Sequence, residues 1–138
     1  MATELKGSCL CGAVRYEATG EAAFQGFCQC LDCRKATGSG HLAAIGVPEA
    51  AVKVTGETKS FSKAADSGGM VARHFCPTCG SLMFDKSSGI PGVVVLNAAV
   101  LDDPEAFKPQ SVVFTRSALS WDQLDPALPR FEAMPPME

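Results

Sequence analysis

Three thiols occur within six residues of the chain, in the segment Cys28-Gln29-Cys30-Leu31-Asp32-Cys33. Three sulfurs this close together cannot all pair with one another as disulfides, but they can converge on a single metal ion. Zinc takes four ligands in a tetrahedral arrangement, and a site with three protein ligands keeps one position open. The pattern therefore predicts an open zinc site formed by Cys28, Cys30 and Cys33, of the kind used for catalysis or substrate binding.

The four remaining cysteines form two close pairs, Cys9-Leu10-Cys11 and Cys76-Pro77-Thr78-Cys79. If Cys9 and Cys11 lie on an extended segment, both side chains point to one face. The second pair is typical of a zinc-binding turn, because Pro fixes one backbone angle and Gly80 permits a left-handed conformation. Four thiolates make a closed, structural zinc site, so these two pairs could hold one ion and leave the central three for another. A rival arrangement is one four-cysteine site that uses two of the central thiols.

Two other interpretations of the cysteines are weaker. Some of them could be buried packing residues, but all seven fall into close-spaced clusters. A redox role for either Cys-x-x-Cys segment requires a βαβ setting in which the motif opens a long helix. Neither flank has that pattern, so metal ligation is the favoured interpretation.

Composition sets the class of protein. The chain has 138 residues, 46% of them hydrophobic and 20% charged, which fits one globular domain. A net charge of −3 argues against a nucleic-acid binder driven by a basic surface. No apolar run is long enough to predict a membrane span. The segment 1–6 lacks a signal-peptide core, so a cytoplasmic location is predicted, where thiols stay reduced.

The remaining pattern is that of a mainly β protein, with short apolar segments separated by Gly and Pro. We predict a single zinc domain over residues 3–132 and a loose tail over 133–138. One short helix should begin near Asp32, a capable N-cap, and end at Gly38. A strand leads from Phe24 into the three-cysteine segment, and further strands are predicted at residues 13–18, 42–47, 51–54, 59–63, 71–75, 81–84, 92–96 and 112–114. Four apolar residues are the predicted anchors of the C-terminal segment: Trp121, Leu124, Leu128 and Phe131.

Polar residues near the three thiols are candidates for other roles. Arg34 and Lys35 follow Cys33 and could bind an anionic substrate group and lower the pKa values of the thiols, or they could be solvated charges. His41 and His74 could each act as a general base or a fourth ligand, although surface or packing roles are more common for such histidines.

Three segments carry a family resemblance: residues 7–16 (GSCLCGAVRY), residues 28–34 (CQCLDCR) with Gly38, and residues 75–81 (FCPTCGS). They resemble the glutathione-dependent formaldehyde-activating enzyme family, whose domain also occurs in centromere protein V. All seven cysteine positions match, and Gln29 stands where many members carry His. The resemblance extends from about Gly7 to Phe131.

This resemblance implies an Mss4-like fold of several short, curled antiparallel sheets with two zinc ions per chain. It implies a structural zinc at Cys9, Cys11, Cys76 and Cys79 and a catalytic zinc at Cys28, Cys30 and Cys33. The implied activity is the condensation of formaldehyde with glutathione to S-hydroxymethylglutathione, which is a carbon-sulfur lyase reaction in the reverse sense.

Two functions are therefore open. The first is a zinc-dependent carbon-sulfur lyase whose partners are a small, glutathione-like thiol and an aldehyde. The second is a non-catalytic zinc module that binds a protein or a small thiol. Neither nucleic acid nor a membrane is an expected partner, and the strand edges of a small β protein could support a homodimer.

Overall fold

The computed structural model describes residues 3–65 and 68–134, so most of the predicted tail at 133–138 lies outside the described residues. Strands make up most of the regular structure, which confirms the mainly β prediction. Within the described ranges, no helix has the length and apolar character needed to cross a membrane. The strands and the helix are β1 Thr3–Ser8, β2 Arg15–Gly20, β3 Phe24–Cys28, α1 Leu31–Thr37, β4 Leu42–Pro48, β5 Val52–Thr55, β6 Lys59–Ala64, β7 Met70–Phe75, β8 Leu82–Ser87, β9 Val93–Asn97 and β10 Val112–Val113.

These strands form two sheets. The smaller sheet has the order β1-β2-β5, and the larger one has the order β10-β3-β4-β9-β8-β7-β6. The neighbouring strands pair antiparallel except β10, which pairs parallel to β3 through Val112 with Phe27 and Val113 with Cys28. This edge differs from the antiparallel sheets that the resemblance implies. Residues 29–111 connect β3 to β10, and parallel pairing requires such a long crossover.

The larger sheet is covered on both faces at its central strands β4 and β9. Along β4 and β9, Ile45 and Leu96 belong to the main core together with Tyr16 of the smaller sheet. Ala44 and Val95, the neighbouring residues in sequence, belong to a second, smaller core with Cys33. Successive side chains of a strand point to opposite faces, so the smaller core and helix α1 lie on the far side of the sheet from the main core.

A bulge interrupts the pairing of β7 with β8. His74 lies opposite Phe84, but Phe75 lies opposite Leu82, which leaves Met83 as an extra residue on β8. Side chains that lie directly opposite each other across a strand pair share a face. Leu82 therefore shares a face with Phe75, while the fully buried Met83 packs in the main core.

The C-terminal segment packs differently from the prediction. Trp121 is 70% exposed, so its prediction as an anchor is wrong, whereas Leu124, Leu128 and Phe131 are half-buried. The following residue, Asp122, is the one that turns inward, where its side chain is 10% exposed.

Candidate metal centres

The first cysteine cluster joins the two outer pairs. The sulfur atoms of Cys9, Cys11, Cys76 and Cys79 all lie within 4.8 Å of one another. Two of the separations are 3.6 Å, between Cys9 and Cys11, and 3.7 Å, between Cys11 and Cys76. Sulfurs on a tetrahedral zinc ion, with zinc–sulfur bonds of about 2.3 Å, lie about 3.8 Å apart. These four side chains therefore fit a zinc ion.

A turn brings Cys9 and Cys11 together. The backbone N–H of Cys9 donates to the carbonyl of Val14 (2.9 Å), and the N–H of Gly12 donates back to the carbonyl of Cys9 (3.0 Å). The N–H of Val14 also donates to the Cys9 sulfur at 3.2 Å. The pair therefore lies on a turn and not on an extended segment, and both sulfurs still converge on one point.

The second pair lies on the turn between β7 and β8. The N–H of Gly80 donates to the carbonyl of Cys76 (2.9 Å), and Gly80 has a φ of +79°, the left-handed conformation that the sequence predicts. The Ser81 hydroxyl lies 3.2 Å from the Cys79 sulfur and accepts the N–H of Leu10 at 3.1 Å. Hydrogen bonding by Ser81 is the main reason that the pKa of Cys79 falls to about 5. Ser81 thus favours a thiolate and also connects the two halves of the cluster.

The second cluster consists of Cys28, Cys30 and Cys33, whose sulfur atoms also lie within 4.8 Å of one another. Cys28 ends β3, Cys30 is the N-cap of α1, and Cys33 lies in the first turn of that helix. The N–H of Cys33 donates to the Cys30 sulfur at 3.2 Å. The strand end and the helix start therefore present three sulfurs to one point, which again fits a soft metal ion such as zinc.

The N-cap of helix α1 lies two residues before the expected position. This N-cap is Cys30, so the prediction that Asp32 caps the helix is wrong, whereas Gly38 ends the helix in a left-handed conformation as predicted. Asp32 lies in the first turn, and its carboxylate pairs with Lys63 of β6 at 2.8 Å. The thiol of Cys30 accepts the hydrogen bond that a capping carboxylate would have taken.

The three thiols share their protons unequally. Hydrogen bonds from the Cys28 and Cys33 thiols lower the pKa of Cys30 far below its ordinary value. Hydrogen bonding to Cys28 and Cys30 raises the pKa of Cys33. The contacts among the three thiols therefore favour the thiolate form at Cys30 over Cys33.

The two histidines that were candidates for a fourth ligand make hydrogen bonds to other residues. The ring Nδ1 of His41 lies 2.9 Å from the Asp122 carboxylate, and the ring Nδ1 of His74 lies 3.1 Å from the Thr58 hydroxyl. His74 also stacks on Phe84, with ring centroids 4.6 Å apart. In the described part of the chain, the group that could hold a metal at this site is the three cysteines alone.

A pocket of about 260 Å³ lies on the same face of the large sheet as the trio. Leu82, one of its walls, packs against the small core that includes Cys33, Cys28 and Cys30. Helix α1 contributes Ala36, three residues after Cys33 and therefore on the same side of the helix. The lining residues are Ala36, Phe61, Arg73, Phe75, Gly80 and Leu82.

A row of side chains crosses this face. Phe61 lies opposite Arg73 in the pairing of β6 with β7, and Arg73 lies opposite Asp85 in the pairing of β7 with β8. Burial raises the pKa of Asp85 to about 6, although the Arg73 guanidinium acts in the opposite direction and the Cys30 thiolate adds to the increase. The same guanidinium helps to lower the pKa of Cys30. Arg73 and Asp85 therefore interact electrostatically with the three-cysteine site.

Arg73 and Asp85 were not predicted from the sequence, which pointed to Arg34 and Lys35 instead. Arg34 is half-buried and Lys35 is exposed, and neither is among the described residues that line the pocket. The signal that could have found Arg73 is strand alternation, because Arg73 and Phe75 share a face just before Cys76.

A buried polar network behind the trio was not predicted either. Gln29 is 1% exposed, and its Nε2 donates to the Asp122 carboxylate at 3.0 Å and to the Asp122 carbonyl at 3.3 Å. Asp122 in turn pairs with His41. The Gln29 Oε1 atom is buried with no hydrogen-bond partner among the described residues. Gln29 stands between two ligand candidates, so this network holds the cysteine segment against the C-terminal segment.

Comparisons with known proteins agree with the family resemblance. A family model described as glutathione-dependent formaldehyde-activating enzyme matches residues 4–117, a range that contains both cysteine clusters. The chain is also similar to a crystal structure of a Rhodobacter sphaeroides protein, a structural genomics target, with 24% identity and a TM-score of 0.57. That similarity covers 73% of this chain and 93% of the other, and it concerns the fold alone. No curated protein matches the chain.

Proposed function

Because the chain belongs to the glutathione-dependent formaldehyde-activating enzyme family, we propose that it is a zinc-dependent enzyme that adds a thiol, such as glutathione, to formaldehyde or another small aldehyde. The thiol sulfur bonds to the carbonyl carbon, and the thiol proton passes to the carbonyl oxygen, which gives a hemithioacetal. The reverse reaction breaks a carbon-sulfur bond, so the enzyme is of the lyase type. The observation that carries this proposal is the convergence of three thiols beside a pocket, with no fourth ligand from the described chain.

The two clusters have different roles in this proposal. Cys28, Cys30 and Cys33 would hold the catalytic zinc, and Cys9, Cys11, Cys76 and Cys79 would hold the structural zinc, giving two ions per chain. When bound at the open site, zinc supplies a Lewis acid that favours the thiolate form of an incoming thiol.

The chain's own residues orient the reactants and shield the site from water. The Cys33 N–H holds the Cys30 sulfur in place, and Gln29 holds the segment from behind. Phe75 and Leu82 give the neighbouring pocket apolar walls, and the Arg73 guanidinium provides positive charge where an anionic substrate group would bind.

The matched variants Cys30→Ser and Cys79→Ser test this division of roles. We expect zinc-loaded Cys30→Ser to bind one zinc ion instead of two, to remain folded, and to form S-hydroxymethylglutathione no faster than the spontaneous reaction. The main effect that we expect of Cys79→Ser is a lower melting temperature. Zinc content is measured by elemental analysis, and turnover by exchange NMR between formaldehyde and glutathione. A Cys30→Ser rate equal to that of the parent chain would disprove catalysis at the trio.

The alternative function is a non-catalytic zinc module that binds a protein or a small thiol. The specific observation in its favour is that the described residues grouped at this site are the three cysteines alone. His41 and His74 direct their Nδ1 atoms to Asp122 and Thr58, and neither ring belongs to that group as a base. Saturable glutathione binding with no rate enhancement would support this alternative.

The remaining expectations from the sequence are also proposals. We propose that Arg34 and Lys35 assist substrate binding by attracting anions to the site, which their substitution with Gln would test through KM. A cytoplasmic location is consistent with the seven free cysteines, since reducing compartments keep thiols available for metals. Analytical ultracentrifugation would test for a homodimer.

A further inference from the structure

The pocket beside the trio has a mostly apolar lining. Five of the six residues that line it, Ala36, Phe61, Phe75, Gly80 and Leu82, offer carbon surface, and the sixth is Arg73. Its volume of about 260 Å³ lies below the range of about 300–1,000 Å³ that is usual for drug-sized ligands. Such a pocket suits a compact, apolar group with one negative charge.

Arg73 is placed to bind that charge. It is half-buried and projects between Phe61 and Asp85, its opposite residues on the two adjacent strands. Arg73 takes part in none of the ion pairs formed by the described residues, so the Asp85 carboxylate lies beyond pairing distance. A guanidinium presents a planar fork that matches a carboxylate with two parallel hydrogen bonds. Its positive charge is therefore available to a ligand.

Glutathione fits this lining poorly. At neutral pH it carries two carboxylates and one ammonium group, joined by two polar amides. The pocket lining provides one cation and no acid to pair with the ammonium. Asp85 lies opposite Arg73 on the same face, but it is only 7% exposed and does not line the pocket. Asp32 of α1 is already paired with Lys63 through both carboxylate oxygens, at 2.8 and 3.0 Å. The amides would lie against phenyl and leucyl side chains, and burying polar groups without hydrogen bonds is unfavourable.

We propose that the thiol used at the three-cysteine site is a small monocarboxylate with an apolar or aromatic body, whose carboxylate binds Arg73 and whose body lies between Phe61, Phe75 and Leu82. This substrate class rests on the proposed thiol addition. The bond formed is unchanged: the thiol sulfur joins the aldehyde carbon, and the thiol proton moves to the aldehyde oxygen.

A binding experiment tests the pocket without any turnover. Isothermal titration calorimetry of the zinc-loaded chain compares 3-phenylpropionate with its neutral analogue 3-phenylpropanol, neither of which has a thiol. We expect the carboxylate to bind at least tenfold more tightly. Arg73→Met should abolish this preference and Arg73→Lys should retain part of it, because lysine keeps the charge without the planar fork.

The matched control is Arg15→Met, since Arg15 is an exposed arginine on a strand of the other sheet, and it should leave the preference intact. Circular dichroism and zinc content verify that each variant is folded and loaded. Equal binding of the two probes, or an unchanged preference in Arg73→Met, would overturn the assignment.

A turnover experiment separates this inference from the proposed function. Formaldehyde is mixed with either 2-mercapto-3-phenylpropionate or glutathione, and the rate above the spontaneous reaction is measured. A higher kcat/KM for the aromatic thiol, lost in Arg73→Met, supports the assignment, whereas faster turnover of glutathione overturns it and leaves the proposed function standing. A carboxylate preference in binding with no catalysis of either thiol supports the pocket assignment and overturns the proposed function.

Discussion

Replacing Asp122 with alanine should destabilise the zinc-loaded chain, although this residue lies 89 or more positions from every cysteine of the trio in the printed sequence. The Asp122 carboxylate is only 10% exposed, so solvent screens its contacts weakly. It lies 2.9 Å from His41 Nδ1 and accepts a hydrogen bond from Gln29 Nε2 at 3.0 Å. The substitution would remove both contacts and leave a fully buried glutamine amide with its single bond of 3.3 Å to the Asp122 carbonyl.

The magnitude follows from those two contacts. Hydrogen bonds to charged groups contribute about 1.5–3 kcal/mol each, and an unsatisfied buried polar group costs about 1–3 kcal/mol. Contacts that share one carboxylate are not additive, so we expect the free energy of unfolding to fall by about 2–4 kcal/mol. Because Gln29 stands between Cys28 and Cys30, we also expect the affinity of the trio for zinc to fall by about tenfold.

Urea unfolding of the reduced, zinc-loaded chain, followed by circular dichroism, measures the first effect, and a competing chelator measures the second. Glu57→Ala is the control, because Glu57 is an exposed acid on the turn before β6 and such substitutions usually change stability by no more than about 0.5 kcal/mol. A loss for Asp122→Ala that is as small as the control would refute the role of this network.

Three further outcomes are expected. Gly7→Ala should cost about 1–3 kcal/mol by overpacking, because its Cβ would lie 2.5 Å from Tyr16 Cζ, whereas thermal unfolding should barely change for Gly89→Ala, whose Cβ finds its nearest atom at 3.4 Å. Burial, and secondarily Asp102, raises the pKa of Tyr16, the only tyrosine. Since the folded state holds this proton more tightly, the stability it contributes is lost as pH rises above about 10, the ordinary tyrosine pKa. Absorbance at 295 nm should therefore show tyrosinate at a higher pH in folded than in urea-unfolded protein. Removing zinc with a strong chelator should release two ions per chain and lower the melting temperature, since metal binding contributes folding free energy; release of one ion or none would contradict the two-site assignment.

The cysteine clusters illustrate what a sequence can predict about a site. Thiols two or three residues apart are brought together by any short turn, so the grouping into four and three depends little on the rest of the fold. The geometry of the turn is less predictable. At Cys9 an extended segment was as compatible with the spacing as the turn that the structure contains, because both conformations bring the two sulfurs to one side.

Competing interactions explain why the predicted helix cap and one of the predicted C-terminal anchors are wrong. Asp32 has the usual side chain of an N-cap, but Lys63 pairs with its carboxylate and the Cys30 sulfur takes the capping bond. Trp121 is the more hydrophobic of two neighbours, yet Asp122 turns inward because the buried Gln29 amide and the half-buried His41 ring require an acceptor. Both outcomes depend on residues that are remote in sequence, and no window of the chain contains both partners.

The pocket depended on a register shift that periodicity alone cannot predict. In Leu82-Met83-Phe84-Asp85, simple alternation would place Leu82 and Phe84 on one face and Met83 and Asp85 on the other. The bulge at Met83 changes this assignment, because it directs Met83 and Phe84 into the main core and keeps Leu82 beside Phe75 in the pocket. The same shift keeps Arg73 opposite Asp85, so one extra residue in β8 both completes the core and gives the three-cysteine site its apolar wall.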